Sequence, residues 1–215
     1  MDTPGLTLRT PEGRPFLFDP GALCLELLPT GGPGAYARYE VLHTPADLVR
    51  WAAESRLPGG LDVLVSEAEL VDARALRDAL WRLAEDRAHG RALSVAELDV
   101  VNARAARAAL VARIDRPADA GAGGGAVRGW APGATGDQLL STVARDAIDL
   151  FTGAFAHRVR ICGAHDCALL FVDTSRPGRR RWCAMERCGN RHKVRAHRAR
   201  RSGGSGRSDR NEGES

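Results

Sequence analysis

The sequence has one lysine, few aromatic residues and no long hydrophobic run. Lys193 is the only lysine among 215 residues, and aromatic side chains make up 5% of the chain. Arginine in place of lysine, together with so much alanine, indicates a GC-rich genome, which reflects codon supply and not function. The most apolar segments, such as ALCLELL, are far too short to span a bilayer, so we expect no membrane partner.

A secretion signal is also missing from the N-terminal residues. The stretch MDTPGLTLRTPEGRPF has neither a basic start followed by an apolar run nor a small-residue cleavage site. We therefore expect a cytoplasmic protein, in which thiols stay reduced. In that compartment, paired cysteines at short spacing are more typical of metal sites than of disulfides.

No recognisable catalytic motif is present. The sequence has no phosphate-binding glycine loop, no nucleophile elbow and no His/Glu metalloprotease pattern. The run AGAGGGA precedes no helix start and has no lysine after it, which favours a flexible loop over a phosphate site. We therefore expect no enzymatic activity. The first two-thirds of the chain is typical of a mostly helical domain that binds something.

Charge is distributed unevenly along the chain. Residues 1–157 contain 16 Arg against 21 Asp or Glu, whereas residues 158–201 contain 13 Lys or Arg against three acids. Residues 202–215 have two Arg against three acids and are rich in Gly and Ser, which predicts a disordered tail. An acidic body joined to a basic module is typical of a protein that meets a polyanion with one end.

Hydrophobic periodicity and capping residues predict four helices before residue 158. Thr44-Pro45 and Ser66 are predicted to open the first two, and Ser94 with Glu97 predicts a capping box for the third. The fourth is predicted over residues 135–157. The predicted inward-facing residues are Leu48, Trp51, Ala52, Leu76, Leu80, Leu83, Leu98, Val101, Leu139, Val143, Ile148, Phe151 and Phe155.

Short strands are predicted beside these helices. The segment FLFDPGALCLELL, residues 16–28, is typical of a hairpin or of a strand running into a helix, and its Cys24 is interpreted as a small buried hydrophobe. Residues 110–114 are predicted to pair with 127–130. The predicted fold class is therefore mainly α with small β-hairpins (α+β): a helical N-terminal domain and a small C-terminal module that contains the other four cysteines.

The other four cysteines form two pairs of equal spacing. Cys162 and Cys167 are separated by four residues, as are Cys183 and Cys188, and fifteen residues separate the pairs. Four thiolates close a tetrahedral zinc site completely, which predicts one structural Zn²⁺ ion. An iron–sulfur cluster, a disulfide switch and a catalytic zinc are less consistent with this pattern. His165 within the first pair is a further candidate ligand, although an exposed turn histidine is the simpler interpretation.

A dense run of basic residues surrounds the second cysteine pair. If residues 191–201 are helical, the cations lie on adjacent faces with almost nothing to bury against, which favours a phosphate partner over a solvated tail. Trp182 is interpreted as packing over the metal site, with base stacking as the alternative. Asn190 is interpreted as a helix cap, with adenine contact as the alternative. The candidate nucleic-acid contacts are Arg179, Arg180, Arg181, Asn190, Arg191, Lys193, Arg195, Arg198, Arg200 and Arg201.

The residues Cys188-Gly189-Asn190-Arg191 spell CGNR, and RRRWCAMERCGNRHKVRAHRAR resembles the signature of the CGNR zinc-finger family. That family joins this finger to an N-terminal ABATE domain of stress-induced transcription regulators. The finger resemblance covers about residues 158–201, and a looser one covers about 16–150. The segment CLELLPT has proline where the family's early motif has asparagine. The resemblance implies zinc ligation by the four paired cysteines and DNA contact by the finger and its basic tail.

These observations predict a soluble bacterial-type transcription regulator with a stress-response role. Residues 1–157 are predicted to form an ABATE-like sensor or dimerisation domain, residues 158–201 the finger and basic segment, and 202–215 a disordered tail. The expected partner is double-stranded DNA, with a small-molecule effector and a homodimer as further expectations. The alternative hypothesis is a zinc-stabilised adaptor that binds an acidic protein partner or RNA.

Overall fold

The computed structural model describes residues 5–117 and 125–203, with the side chains of 196 and 199–203 outside that description. Most of the glycine-rich segment interpreted as a flexible loop, and residues 204–215 of the predicted tail, lie outside the described residues. Within them the chain is mainly helical with small separate strand pairs, which confirms the predicted fold class. The α-helices are α1 (Leu23–Glu26), α2 (Pro45–Glu54), α3 (Glu67–Ala88), α4 (Val95–Ala105), α5 (Gly136–Thr152) and α6 (Asn190–Gly203). The strands are β1 (Leu6–Arg9), β2 (Pro15–Phe18), β3 (Val63–Leu64), β4 (Ala112–Asp115), β5 (Val127–Trp130), β6 (Ala134–Thr135), β7 (Val159–Ile161) and β8 (Leu170–Val172).

Helix α3 is the centre of the helical body and packs against α2, α4 and α5. Its residues Leu76, Leu80 and Leu83 recur at helical spacing and are fully buried, as predicted. In the described part of the chain, no helix combines the length and the apolar character needed to cross a membrane.

Three of the predicted helix starts are capped: caps were expected at Thr44 and Ser66, and the start at Thr135 has one as well. Capping boxes form at Thr44, Ser66 and Thr135, where each side chain pairs with the third helical residue and satisfies free N–H groups of the first turn. The prediction of a capping box at Ser94 is wrong. The Ser94 side chain makes no cap hydrogen bond, and Glu97 pairs instead with Arg82 of α3 at 3.1 Å.

Helix α5 ends five residues before the predicted end at 157. Gly153 is extended, and a Cβ there would lie 2.4 Å from the Asp149 carbonyl oxygen, so only glycine fits where the helix ends. Phe155 consequently leaves the apolar face and is 46% exposed. His157 lies in a 3₁₀ turn, Ala156–Arg158, that leads into β7.

The predicted strands are present with small shifts. β4 and β5 are antiparallel, with Ala112 opposite Trp130. β2 runs through a turn into α1, and Cys24 in that helix is fully buried, as expected of a small hydrophobe. β3 and β6 pair in parallel over two residues and join the segments that precede α3 and α5.

The β7–β8 hairpin separates two apolar cores. Leu170 and Val172 of β8 point into the helical core, whereas Phe171 between them points into a second cluster that contains the paired cysteines. This is the side-chain alternation of a strand buried on both faces. Strand β2 contributes Phe16 and Phe18 to that second cluster. The cysteine cluster is thus built on a strand that it shares with the helical body.

Candidate metal centre and basic helix

The first cysteine pair lies in the loop of the β7–β8 hairpin. Cys162 follows β7 directly, and its N–H donates to the Leu169 carbonyl at 2.9 Å. The Cys167 N–H donates to the Ala164 carbonyl at 3.1 Å, which closes a tight turn. Both thiols therefore point from one short loop toward the second pair.

In the second pair, Cys183 precedes a π-helical turn, Met185–Gly189, which contains Cys188 and runs into α6. The N–H groups of Cys188 and Gly189 both donate to the Ala184 carbonyl, at 3.0 and 3.2 Å. A Cβ at Gly189 would lie 2.7 Å from Met185 Sδ, so a larger residue would displace that side chain. The turn thereby brings Cys183 and Cys188 to the same side as the first pair.

The loop between the pairs is organised by Asp173, which is fully buried. Its carboxylate accepts hydrogen bonds from Ser175 Oγ at 2.5 Å and from the Arg180 N–H at 2.9 Å. Burial opposes ionisation, but these hydrogen bonds outweigh it and lower the pKa of Asp173. A charged Asp173 thus holds the connection that sets the two pairs face to face.

The four sulfur atoms converge to within 4.8 Å of one another. Cys183 Sγ lies 3.7 Å from Cys167 Sγ and 3.6 Å from Cys188 Sγ. A tetrahedron with zinc–sulfur bonds of about 2.3 Å has edges of about 3.8 Å, so the donor set fits this ion in both chemistry and size. In a site of this kind the ion is structural, because four thiolates leave no open position for water.

Hydrogen bonds among the thiols separate their pKa values. Hydrogen bonds from Cys167 and Cys183 lower the pKa of Cys162, because they stabilise its thiolate. The hydrogen bond to Cys162, followed by that to Cys167 and by burial, raises the pKa of Cys183. A dication bound by all four sulfurs must displace the remaining protons, so metal binding here is coupled to proton release.

The structure favours the simpler interpretation of both His165 and Trp182: an exposed turn histidine and a tryptophan that packs at the metal site. His165 lies outside the converging group and its side chain is 69% exposed. The Trp182 ring packs beside the cysteine turns, where Cβ atoms added at Gly163 and Gly189 would lie 3.3 and 3.4 Å from it. Its ring also contacts His192 and Arg181, with ring centroids 4.7 Å apart and the Arg181 Cζ 5.0 Å from the ring centroid.

Two arginines among the predicted nucleic-acid contacts have internal partners. The Arg180 guanidinium donates to the carbonyls of Trp182, Asp19 and Cys183 and lies 4.4 Å from the Phe171 ring centroid. Arg191 forms a bidentate pair with Asp166, at 2.8 and 3.1 Å. The structure thus places Arg180 and Arg191 within the finger.

The basic helix α6 continues from the second cysteine turn. Asn190 does not cap it as expected, because α6 continues directly from the π-helical turn and the Asn190 backbone N–H already donates to the Met185 and Arg187 carbonyls. Its side-chain amide donates to the Glu186 carbonyl at 3.3 Å. Lys193 and Arg198 are exposed, and Arg195 contacts the His165 ring while remaining 54% exposed. Arg179 and Arg181 are exposed beside an open groove of about 450 Å³, whose lining includes Trp182 and Met185. The side chains of Arg200 and Arg201 lie outside the described residues.

Sequence reasoning missed the residues that cover the cysteines. Phe16 and Phe18 of β2 are buried against them, although more than 140 residues of chain intervene. Their alternation with exposed Leu17 was the available signal, since it predicts a strand with one buried face. Nothing in that pattern indicates which surface the face covers.

Comparisons with known families agree with this arrangement. Residues 21–154 match the ABATE family, described as "Putative stress-induced transcription regulator", and residues 158–201 match the CGNR zinc finger. No curated protein matches the chain. The ABATE match covers more than half of the 215 residues, and the four-cysteine cluster lies inside the finger match and supports one structural zinc ion. The chain therefore belongs to the ABATE family and carries a CGNR zinc finger after its ABATE domain.

Proposed function

We propose that this protein is a zinc-dependent transcription regulator whose basic helix α6 binds the phosphates of duplex DNA. Cys162, Cys167, Cys183 and Cys188 hold the zinc ion in this proposal, and the ion fixes the direction in which α6 leaves the finger. The observation that carries it is the composition of α6: Asn190–Gly203 contains six Lys or Arg and no acid. Because the helix begins at the metal centre, metal occupancy and DNA affinity are linked.

The exposure of α6 supports an external polyanion as its partner. The described side chains from His192 to Arg198 are all exposed, including the apolar Val194 at 48%. A helix without a buried face gains little from its own protein, and like charges at helical spacing repel. Phosphates remove that repulsion, and the release of their counterions favours binding.

The proposed contacts are the cations that the fold leaves accessible: Arg179, Arg181, Lys193, Arg195 and Arg198, with Arg200 and Arg201 assigned from the sequence. Bidentate arginine contacts to guanine would add specificity to the phosphate contacts. The packing of Trp182 favours duplex DNA over single-stranded RNA as the partner. Its ring already contacts Arg181 and His192, so a base that stacked on the ring would have to displace one of them.

The helical body is proposed to sense a signal or to pair subunits. It has a core of its own, and its acidic charge favours pairing through this part, since two basic fingers repel each other. We place the protein in the cytoplasm, where thiols stay available to zinc. Light scattering with and without DNA measures the subunit count, and a monomer in both conditions would exclude pairing.

The test is duplex binding to a pool of genomic fragments, by the zinc-loaded protein and by Cys188→Ser. The intact protein should enrich particular fragments, and about six phosphate contacts give a log–log salt slope of about −5. Lys193→Gln should reduce the magnitude of the slope by about 1. Arg176 is an exposed cation outside α6, so Arg176→Gln should leave the slope unchanged.

Weak and unselective binding that is equal in the intact protein and in Cys188→Ser would refute the proposal. Preference for single-stranded RNA, or for an acidic protein in place of duplex DNA, would favour an adaptor instead. Equal slopes for Lys193→Gln and Arg176→Gln would show that α6 does not lie on the phosphates.

A further inference from the structure

Two arginines of the finger donate to sulfur atoms of the cysteine cluster. Arg187 Nη1 lies 3.9 Å from Cys167 Sγ, and Arg191 Nη2 lies 3.4 Å from Cys188 Sγ. Arg187 lies between the two cysteines of the second pair and Arg191 follows that pair, yet Arg187 reaches a sulfur of the first pair. Each guanidinium therefore meets the cluster from outside its ligand set.

Neighbouring residues hold each guanidinium in place. The Phe16 ring centroid lies 4.8 Å from the Arg187 Cζ. Asp166, inside the first cysteine loop, binds both terminal nitrogens of Arg191. Arg187 and Arg191 thus connect the two cysteine turns to each other and, through Phe16, to strand β2.

The buried polar atoms of the described residues carry a second, independent signal. Across that part of the chain, the buried side-chain nitrogen and oxygen atoms without a hydrogen-bond partner are Arg187 Nε and Arg191 Nε. Unpaired buried donors are costly, and a cation in a partly buried site needs a compensating charge. Both atoms belong to the two guanidinium groups that contact the cysteines, so these side chains are held at the cluster although one donor of each has no acceptor.

We propose that Arg187 and Arg191 are positioning residues of the zinc centre, which offset the negative charge of the thiolates and retain the metal through N–H···S hydrogen bonds. This rests on the four-cysteine ligand set proposed above. Four thiolates with one Zn²⁺ carry two net negative charges, which two guanidinium groups match. The Asp166 carboxylate adds one negative charge beside Arg191. The positive charge of Arg195, whose Nη2 lies 4.0 Å from that carboxylate, offsets it.

This proposal separates the arginines of the finger by role. Arg191, a member of the CGNR motif, belongs to the metal centre in this proposal, whereas Lys193 and the exposed arginines of α6 are the proposed DNA contacts. Outer residues that bond to metal ligands typically account for 10- to 100-fold in metal affinity. The expected defect of an Arg187 or Arg191 variant is therefore loss of zinc, which precedes any loss of DNA binding.

The experiment measures zinc release from the full-length protein into a chromogenic chelator. Arg187→Gln and Arg191→Gln should each release zinc roughly 10- to 100-fold faster, while Arg176→Gln, which removes the same charge without touching a cysteine, should release it at the wild-type rate. Loading with cobalt gives a second readout, because loss of an N–H···S bond should shift the sulfur-to-cobalt charge-transfer band. Arg191→Lys keeps the charge but cannot bridge Asp166 and Cys188, so it should release zinc at an intermediate rate.

Release rates of Arg187→Gln and Arg191→Gln equal to that of Arg176→Gln, with unshifted cobalt spectra, would overturn the proposal. So would an Asp166→Asn variant that reproduces the whole Arg191→Gln effect, because Arg191 would then act through the carboxylate alone. The ligand assignment is tested separately: a Cys188→Ser protein that still retains zinc at wild-type affinity refutes that assignment, whatever the arginine variants do.

Discussion

The helical body and the finger are stabilised by different means, although they share one strand pair. The body buries a continuous set of leucines from α2, α3 and α5. The cluster of the finger consists of three buried cysteines, Phe171 and the two phenylalanines of β2. So small a cluster removes little apolar surface from water, and segments of this size need a metal or a neighbour. The finger is proposed to use both.

Removal of the metal is expected to have the largest effect, and this effect should fall on the finger and not on the helical body. A structural zinc ion contributes about 10–16 kcal/mol in isolated fingers, so chelation should remove amide protection from residues 162–190. The helices α3 and α5 should keep theirs, because their core contains no metal ligand. Hydrogen exchange with and without chelator measures this. Simultaneous loss of protection in α3 would mean that body and finger unfold as one unit.

A core substitution in each region should separate their effects on zinc. Phe18→Ala removes a fully buried ring beside the cysteines and should cost about 3–5 kcal/mol, with faster zinc release. Leu139→Ala in α5 is its matched control: it should cost about 2–5 kcal/mol and leave zinc release from the folded protein unchanged. Urea denaturation and chelator competition give the two quantities. Equal zinc release from both variants would contradict the separation.

The pH dependence of zinc binding should follow the thiol protons. The raised pKa of Cys183 keeps its proton at neutral pH, so zinc must displace it. Affinity should therefore rise with pH, by about tenfold per pH unit for each proton released, and fall on acidification as protons compete for the sulfurs. Chelator competition between pH 6 and 8 measures the slope. An affinity independent of pH would mean that the site already holds four thiolates.

The smallest effect concerns helix capping in the body. Thr135→Ala removes a side chain that accepts from the Gln138 N–H at 3.3 Å, and should cost about 1 kcal/mol. Ser94→Ala removes a hydroxyl that makes no cap hydrogen bond, so it should change the free energy of unfolding by only about a few tenths of a kcal/mol. Thermal unfolding of the two variants decides. Equal losses of stability in the two variants would support the capping box predicted at Ser94.

Local signals in the sequence were sufficient for most helices and for the four-cysteine cluster. The starts at Thr44, Ser66 and Thr135 depend on residues within one turn, which is why they could be predicted. Equal spacing within both cysteine pairs likewise made one tetrahedral site the simplest prediction. Each of these features is set by residues close together in sequence or by ligand geometry.

The predictions that failed depend on competition or on distant partners. Glu97 was expected to complete the box at Ser94, but Arg82 on another helix takes its carboxylate. Asn190 was expected to cap α6, but α6 continues directly from the π-helical turn, whose carbonyls already accept from the Asn190 backbone N–H. The contact of Phe16 and Phe18 with the cysteines joins opposite ends of the chain, which periodicity does not reveal.

Strand β2 has a practical consequence for anyone who shortens this protein. Its residues 15–18 lie outside both family matches, which cover 21–154 and 158–201. A chain trimmed to those limits would keep every cysteine but lose Phe16 and Phe18, and we expect it to bind zinc with its cluster open to solvent and oxidants. The same feature orders events during synthesis, because β2 is made more than 140 residues before the cysteine loops that it covers. β2 can pair with β1 at once, but its buried phenylalanines have no cysteine cluster to cover until that later part of the chain has been made.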